Sequence, residues 1–120
     1  MKKLFIAAFM FVSTFTSNVY ADGHAIKMGI ILGFTGPIES LTPAMAASAE
    51  LAFKEASDSG SLLGGKSIKV IRADSTCVDS AAATAAAEGV IAEGVAAIMG
   101  ADCSGVTGAC LLYTSPSPRD

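Results

Sequence analysis

The strongest constraint on the fold is an alternation of short strand-like segments with longer helical ones. Residues 26–32 (IKMGIIL), 67–73 (SIKVIRA) and 95–99 (VAAIM) are short and rich in apolar or β-branched residues, as expected of buried or half-buried strands. Helical connections of about 14 residues separate them, and strands joined in this way pair in parallel through right-handed crossovers. The sequence therefore predicts an α/β fold, a three-layer doubly wound parallel sheet in the order βαβαβ.

The first predicted helix has signals at both ends. Thr42 is predicted as its N-cap, with Pro43 at the first helical position, and residues 58–60 (DSG) end it. Apolar residues recur at helical spacing between these limits and predict a stripe that faces the sheet. The stripe consists of Met45, Ala49, Ala52, Phe53 and Ala56.

The second predicted helix covers residues 80–93. Asp79 is expected to cap its start and Gly94 to stop it. The residues expected to face inward are Ala83, Ala86, Val90 and Ile91. A third helix is expected to open within residues 100–107, directly after the third strand.

The first 21 residues are typical of a secretion signal. A basic start (MKK) precedes an apolar run at residues 4–12, which is too short for a bilayer span of about 20 residues. Val19-Tyr20-Ala21 fits the cleavage rule, so we expect cleavage after Ala21 and export to the periplasm. The alternative is a buried helix or a membrane anchor. Because no cysteine lies near the cut, a free periplasmic protein is favoured over a lipoprotein.

The last eleven residues differ in character from the rest. Residues 110–120 (CLLYTSPSPRD) resemble the conceptual translation of a transposase sequencing adapter, and the alternative is a genuine disordered tail or linker. On the adapter interpretation, native sequence ends near Ala109. Residues 22–109 are then the truncated N-terminal part of a larger domain.

Charge argues against two classes of partner. Residues 22–109 hold five basic and ten acidic side chains, a net charge of −5. An acidic segment is not expected to bind nucleic acid or an anionic membrane.

Three loops are expected at the carboxyl edge of the sheet, where ligands bind in open α/β folds. They are residues 33–42, 74–78 and 100–107. The first lacks both the GxGxxG fingerprint and the P-loop motif. Asp74 stands where a nucleotide-binding fold would place its ribose acid, but without the fingerprint a dinucleotide enzyme is not favoured.

The third of these loops contains a candidate anion site. Residues 101–107 (ADCSGVT) follow a strand and are expected to open a helix. Free backbone N–H groups at such a start, with the hydroxyls of Ser104 and Thr107 nearby, suit a carboxylate. The alternative is that Ser104 or Thr107 only caps the helix.

The remaining reactive residues favour binding over catalysis. If Cys110 belongs to the adapter, Cys77 and Cys103 are a candidate disulfide pair, worth roughly 3–4 kcal/mol on the chain-entropy model. A catalytic cysteine or a metal site lacks histidines, because His24 is the only one. Glu39, Asp74 and Asp102 are scattered along the chain and form no acid/base pair. We therefore expect no enzyme activity, no metal and no cofactor. The helix glutamates Glu50, Glu55, Glu88 and Glu93 are expected to be solvated.

A family resemblance covers residues 26–109. The segments IKMGIILGFTGPIESL, AELAFKEASDSG, GGKSIKVIRADSTC and CSGVT resemble the N-terminal lobe of the branched-chain amino acid (leucine/isoleucine/valine) substrate-binding proteins of ABC transporters, which have the type I periplasmic binding fold. The cysteine spacing together with CSGVT is the most specific part of this resemblance.

The resemblance implies roles for individual residues. It implies a Cys77–Cys103 disulfide and a ligand carboxylate bound by the hydroxyl and N–H of Ser104, within a binding segment that includes Gly105 and Thr107. It places Leu41 beside the ligand side chain, at a position where the family has an aromatic or another apolar residue. Leucine departs from the aromatic version. It implies capture of a free amino acid, delivery to permease subunits in the inner membrane, and a monomer when full length. A ligand-sensing receptor domain of the same fold is the alternative.

Overall fold

The computed structural model describes residues 25–114. The predicted signal peptide and its cleavage site lie outside the described residues, and so do residues 115–120. Within residues 25–114 the order of the main elements is βαβαβα, which confirms the predicted βαβαβ order and adds the expected third helix. The strands are β1 (Ile26–Leu32), β2 (Ile68–Asp74) and β3 (Ala97–Gly100), and the helices are α1 (Thr42–Asp58), α2 (Ser80–Ala92) and α3 (Ser104–Thr114).

The described strands form a parallel sheet in the order β2-β1-β3. Leu32 at the end of β1 is paired with Asp74 at the end of β2, and Ile31 is paired with Gly100 at the end of β3. The three strands therefore end at nearly the same level. The loops that follow them lie at one edge of the sheet, and the α/β fold class is confirmed.

The helices cover both faces of the central strand. Successive residues of β1 point to opposite faces, so Ile30 and Leu32 lie on the α1 side and Ile31 lies on the side of α2 and α3. All three are almost completely buried. Alanines complete both cores and allow close packing of helix on sheet: Ala46 on one side, Ala83 and Ala87 on the other.

The buried stripes of α1 and α2 differ from the predicted ones. Met45 and Ala52 are exposed, and Ala46 is the buried residue of α1. In α2, Ile91 is 42% exposed and Ala87 is fully buried. In an alanine-rich helix several faces are apolar, so tertiary packing and not hydrophobicity decides which face is covered. Ala49, Phe53 and Ala56 of the predicted α1 stripe are half-buried. Of the residues predicted to face inward in α2, Ala83 and Val90 are buried and Ala86 is half-buried, as predicted.

The start of α1 also corrects a prediction. Leu41 and not Thr42 occupies the N-cap position, and no side chain caps this helix. Thr42 is completely buried, and its hydroxyl donates to the carbonyl of Gly33 at 3.0 Å. Thr42 thus stabilises the preceding loop rather than the helix end.

The start of α2 is as predicted. The Asp79 carboxylate accepts the N–H groups of Ala81 and Ala82 at 2.8 and 3.1 Å, which satisfies two donors of the first turn. None of the helices within residues 25–114 is both long enough and apolar enough to cross a membrane.

Candidate functional site

Three loops meet at the carboxyl edge of the sheet. We call them L1 (residues 33–41, after β1), L2 (residues 75–79, after β2) and L3 (residues 101–103, after β3). They correspond closely to the loops at which the sequence predicts a ligand site. Direct bonds join L3 to both L1 and L2, and L1 packs against L2.

The disulfide joins L2 to L3. Cys77 and Cys103 are bonded, with their Cα atoms 5.3 Å apart and a separation of 26 positions in sequence. This is the pairing that the family resemblance implies. The third cysteine, Cys110, is buried in α3, with its Sγ 3.5 Å from the carbonyl oxygen of Ala83.

The carboxylate of Asp102 joins L3 to both other loops. Its Oδ2 accepts the backbone N–H of Gly33 at 2.9 Å, and its Oδ1 accepts the hydroxyl of Ser75 at 3.4 Å. Ser75 is completely buried, and its own N–H donates to the carbonyl of Leu32. Asp102 therefore satisfies polar groups that the packing of the loops has removed from water.

The carboxylate of Asp74 joins the end of β2 to L1. It accepts the hydroxyl of Thr35 at 2.5 Å, the N–H of Thr35 at 3.3 Å and the N–H of Thr76 at 2.8 Å. Partial burial raises the pKa of Asp74, but the hydrogen bonds from Thr35, Thr76 and Phe34 outweigh it, so the pKa lies below its ordinary value. The ionised form is the one that the loops stabilise.

Backbone packs directly on backbone between L1 and L2. Gly36 has a φ of +95°, and a Cβ at this position would lie 2.5 Å from the carbonyl oxygen of Thr76. Only glycine accommodates both this dihedral angle and this contact. The Gly-Pro turn of L1 is therefore required for the approach of the two loops.

The start of α3 is open. The N–H of Thr107 donates to the carbonyl of Cys103 at 2.9 Å, which makes Cys103 the N-cap residue of this helix. Within the described residues, the N–H groups of Ser104, Gly105 and Val106 have no hydrogen-bond acceptor. Ser104 and Gly105 are exposed to solvent. The helix start thus presents unsatisfied donors beside the Ser104 hydroxyl, at the positive end of the helix dipole.

Thr107 has a different surrounding. It is half-buried, and its hydroxyl lies 3.0 Å from the carbonyl oxygen of Ala101 and 2.9 Å from that of Cys103. Its single proton is used in these internal bonds, so it cannot at the same time donate to a carboxylate. These bonds are not helix capping, because the hydroxyl donates to carbonyls and accepts no N–H group of the first turn.

Two apolar side chains are exposed in these loops. Leu41, at the end of L1, is 60% exposed, and Val78, in L2, is 73% exposed. The family resemblance implies a ligand contact at Leu41. Val78 was not predicted, because a single valine in a short loop carries no periodic signal.

A cation lies on the α1 side of the sheet but is already paired. Arg72 donates to both carboxylate oxygens of Glu50, at 2.6 and 2.7 Å, and its guanidinium stands 5.6 Å from the centre of the Phe34 ring. The hydrogen bond from Arg72 holds the pKa of Glu50 below its ordinary value, despite some desolvation. Glu50 is thus not simply a solvated helix residue. L1, L2 and L3 themselves contain no lysine or arginine.

The sequence did not predict the roles of the two aspartates. Asp74 and Asp102 are 28 positions apart, and their use in fastening loops depends on the pairing of β2 and β3 with β1. The signal available was their position, since Asp74 ends one strand and Asp102 closely follows another. Glu39, the third acid of that set, lies exposed in L1. Among residues 25–114, no cluster of three or more His, Cys, Asp or Glu side chains is arranged to hold a metal ion.

A parallel sheet with cross-linked loops and an open helix start at its carboxyl edge defines an α/β ligand-binding domain. The family model described as "Periplasmic binding protein" matches residues 25–116, and the chain belongs to that family. Its parallel sheet is that of a type I periplasmic binding fold, its role is ligand binding, and the family is periplasmic. A comparison with curated proteins gives no match.

Both the family match and α3 continue past Ala109. The adapter origin of residues 110–120 stays a prediction.

Proposed function

We propose that this chain is the N-terminal part of an extracytoplasmic solute-binding protein that captures an amino acid for an ABC importer. The ligand is a branched-chain or other hydrophobic amino acid. The observation that carries the proposal is the open start of α3, where Ser104 and the neighbouring N–H groups lie exposed at the carboxyl edge of the sheet.

The ligand carboxylate would bind at this helix start. Hydrogen bonds from the Ser104 hydroxyl and from the N–H groups of Ser104 and Gly105 would replace water around it. The helix dipole favours the negative charge. Val106, the next residue, is buried in the core, so the helix start is anchored to the sheet and need not reorganise.

The charges of the loops favour a zwitterion over a simple anion. Glu39, Asp74 and Asp102 are acidic, and no cation in L1, L2 or L3 offsets them. A dicarboxylate would be repelled, whereas an amino acid carries an ammonium group beside its carboxylate. The apolar part of the ligand would contact Leu41, with Val78 as a second exposed apolar side chain at this edge.

The remaining contacts would come from a second lobe. Closure of two lobes over the ligand is a hinge motion that removes it from water and forms the surface presented to the permease. The full-length protein is proposed to act as a monomer, without metal or cofactor.

Calorimetric titration of the full-length protein with a panel of amino acids tests the proposal. We expect heat from aliphatic amino acids, and we expect Ser104→Ala to weaken binding by an order of magnitude or more, because hydrogen bonds to charged groups contribute about 1.5–3 kcal/mol. Ser48→Ala is the matched control, since Ser48 is an exposed serine of α1 that donates to the Ala44 carbonyl. No heat from any amino acid would refute the transport function. Equal affinities of Ser104→Ala and the unmodified protein would refute the role of Ser104.

A further inference from the structure

The disulfide engages the side chain of Cys103, the residue that directly precedes α3 and the proposed ligand site. Cys103 is the N-cap residue of α3, and the side chain of an N-cap residue normally accepts the N–H of the second or third helical residue. Here those residues are Gly105 and Val106. The Cys103 sulfur is instead bonded to Cys77 of L2. The N–H groups of Gly105 and Val106 have no acceptor within the described residues.

The start of α2 shows how an anionic N-cap side chain binds when no covalent bond holds it elsewhere. At the start of α2, the Asp79 carboxylate accepts the N–H groups of Ala81 and Ala82, which are the second and third helical residues. That helix start is closed by its own cap. The start of α3 has the equivalent arrangement of donors, but its N-cap side chain is bonded elsewhere.

We propose that the Cys77–Cys103 disulfide is a redox gate for ligand binding at α3, an inference that rests on the proposed function. With the bond closed, the helix start is open to the ligand carboxylate. With the bond reduced, the thiolate of Cys103 caps Gly105 and Val106 and competes with the ligand.

The chemistry of the gate requires a dithiol as reductant. One thiolate of the dithiol attacks the disulfide and displaces one cysteine sulfur. Its second thiolate then attacks the dithiol sulfur of the mixed disulfide and displaces the remaining cysteine sulfur. The dithiol is oxidised to a disulfide, and its two electrons and two protons pass to Cys77 and Cys103 as thiols. Loss of the Cys103 proton to water then gives the thiolate.

The groups around Cys103 determine whether its thiol or its thiolate is favoured. Helix N-termini stabilise a cysteine thiolate. The charged residues of the segments around the disulfide are Asp102, next to Cys103 in L3, Asp74 at the end of β2 and Asp79 at the end of L2. The carboxylates of all three are engaged by hydrogen bonds within the loops and helix starts. α3 itself carries no charged side chain, and α2 has none before Glu88.

A pair of single variants of the full-length protein separates the gate from simple loss of the bridge. Cys77→Ala and Cys103→Ala both lack the disulfide, but only Cys77→Ala keeps a thiol at the N-cap. With L-leucine as the probe, we expect Cys77→Ala to bind at least ten-fold more weakly than Cys103→Ala at pH 9. The two affinities should converge near pH 5, where the thiol is protonated. Equal affinities at pH 9 would overturn the gate.

A second readout does not depend on ligand. The rate of alkylation by iodoacetamide is measured against pH for Cys103 in Cys77→Ala and for Cys77 in Cys103→Ala, with the labelled peptide identified by mass. We expect Cys103 to become reactive at lower pH than Cys77, and coincident profiles would overturn the gate. Failure of the oxidised, unmodified protein to bind leucine or any other amino acid would instead overturn the proposed function.

Discussion

The backbone N–H of Gly33 donates to Oδ2 of Asp102 at 2.9 Å, although the two residues are 69 positions apart. This bond ties the first loop of the sheet to the loop that opens α3. Because Ser75 of the second loop donates to the other oxygen of the same carboxylate, one side chain holds three loops. The position of the α3 start relative to L1 therefore depends on Asp102.

Removal of that carboxylate should cost stability. Asp102→Ala leaves the buried N–H of Gly33 and the buried hydroxyl of Ser75 without an acceptor, which costs about 1–3 kcal/mol. Chemical denaturation measures the change in the free energy of unfolding. Glu39→Ala, at an exposed acid of L1, is the control and should change the free energy by less than about 0.5 kcal/mol. Equal stabilities of the two variants would contradict the role of Asp102.

Protonation of Asp74 should lower the stability of the folded protein in acid. Its pKa is lower in the folded protein than in the unfolded chain, so the folded state binds fewer protons and is favoured once Asp74 ionises. This contribution is complete above the unfolded value of about 3.9 and is lost as the pH falls through the lowered folded pKa. Asp74→Asn should therefore reduce the slope of unfolding free energy against pH in this acid range.

Ionisation of Glu50 should also stabilise the folded state, because the pKa of Glu50 is lowered as well. Glu50→Gln measured over the same pH range separates the two contributions. An unchanged acid slope in Asp74→Asn would show that the hydrogen bonds from Thr35 and Thr76 do not favour the ionised form.

Thr107 should affect stability through its hydroxyl. Thr107→Val removes the donor to the carbonyls of Ala101 and Cys103 and should destabilise the protein by about 1 kcal/mol. Thr107→Ser keeps the hydroxyl and should retain that part of the stability. Thermal unfolding compares the three proteins. A valine variant as stable as the original would mean that these bonds do not secure the start of α3.

Replacement of two glycines by alanine should change the stability of the protein in opposite directions. Gly36→Ala places a Cβ in a left-handed conformation and against the Thr76 carbonyl, and should cost at least about 1–3 kcal/mol. Gly89 is an exposed residue of α2, and a methyl group added there would meet no other atom within 4 Å, so Gly89→Ala should stabilise by about 0.5–1 kcal/mol. Denaturation of both variants tests the contrast, and a change of the same sign in both would contradict it.

Much of the fold could be predicted because its determinants are local. β1 has the predicted limits, and Asp79 caps α2 as predicted, since strand composition and capping depend on neighbouring residues. Residues 95–99 were less well defined: β3 covers Ala97–Gly100, and its ends depend on pairing with β1. The position of Ser104 at an exposed helix start also followed from local sequence.

The sequence by itself determined the order of strands and helices, and with it the edge at which the loops meet, because hydrophobic patterning and turn residues act over a few positions. Only the tertiary structure decided which alanine faces the sheet, that Thr42 bonds Gly33, and that Asp74 and Asp102 fasten the loops. Most of these contacts join residues that are distant along the chain, and they exist only once parallel pairing has brought the strand ends to the same level.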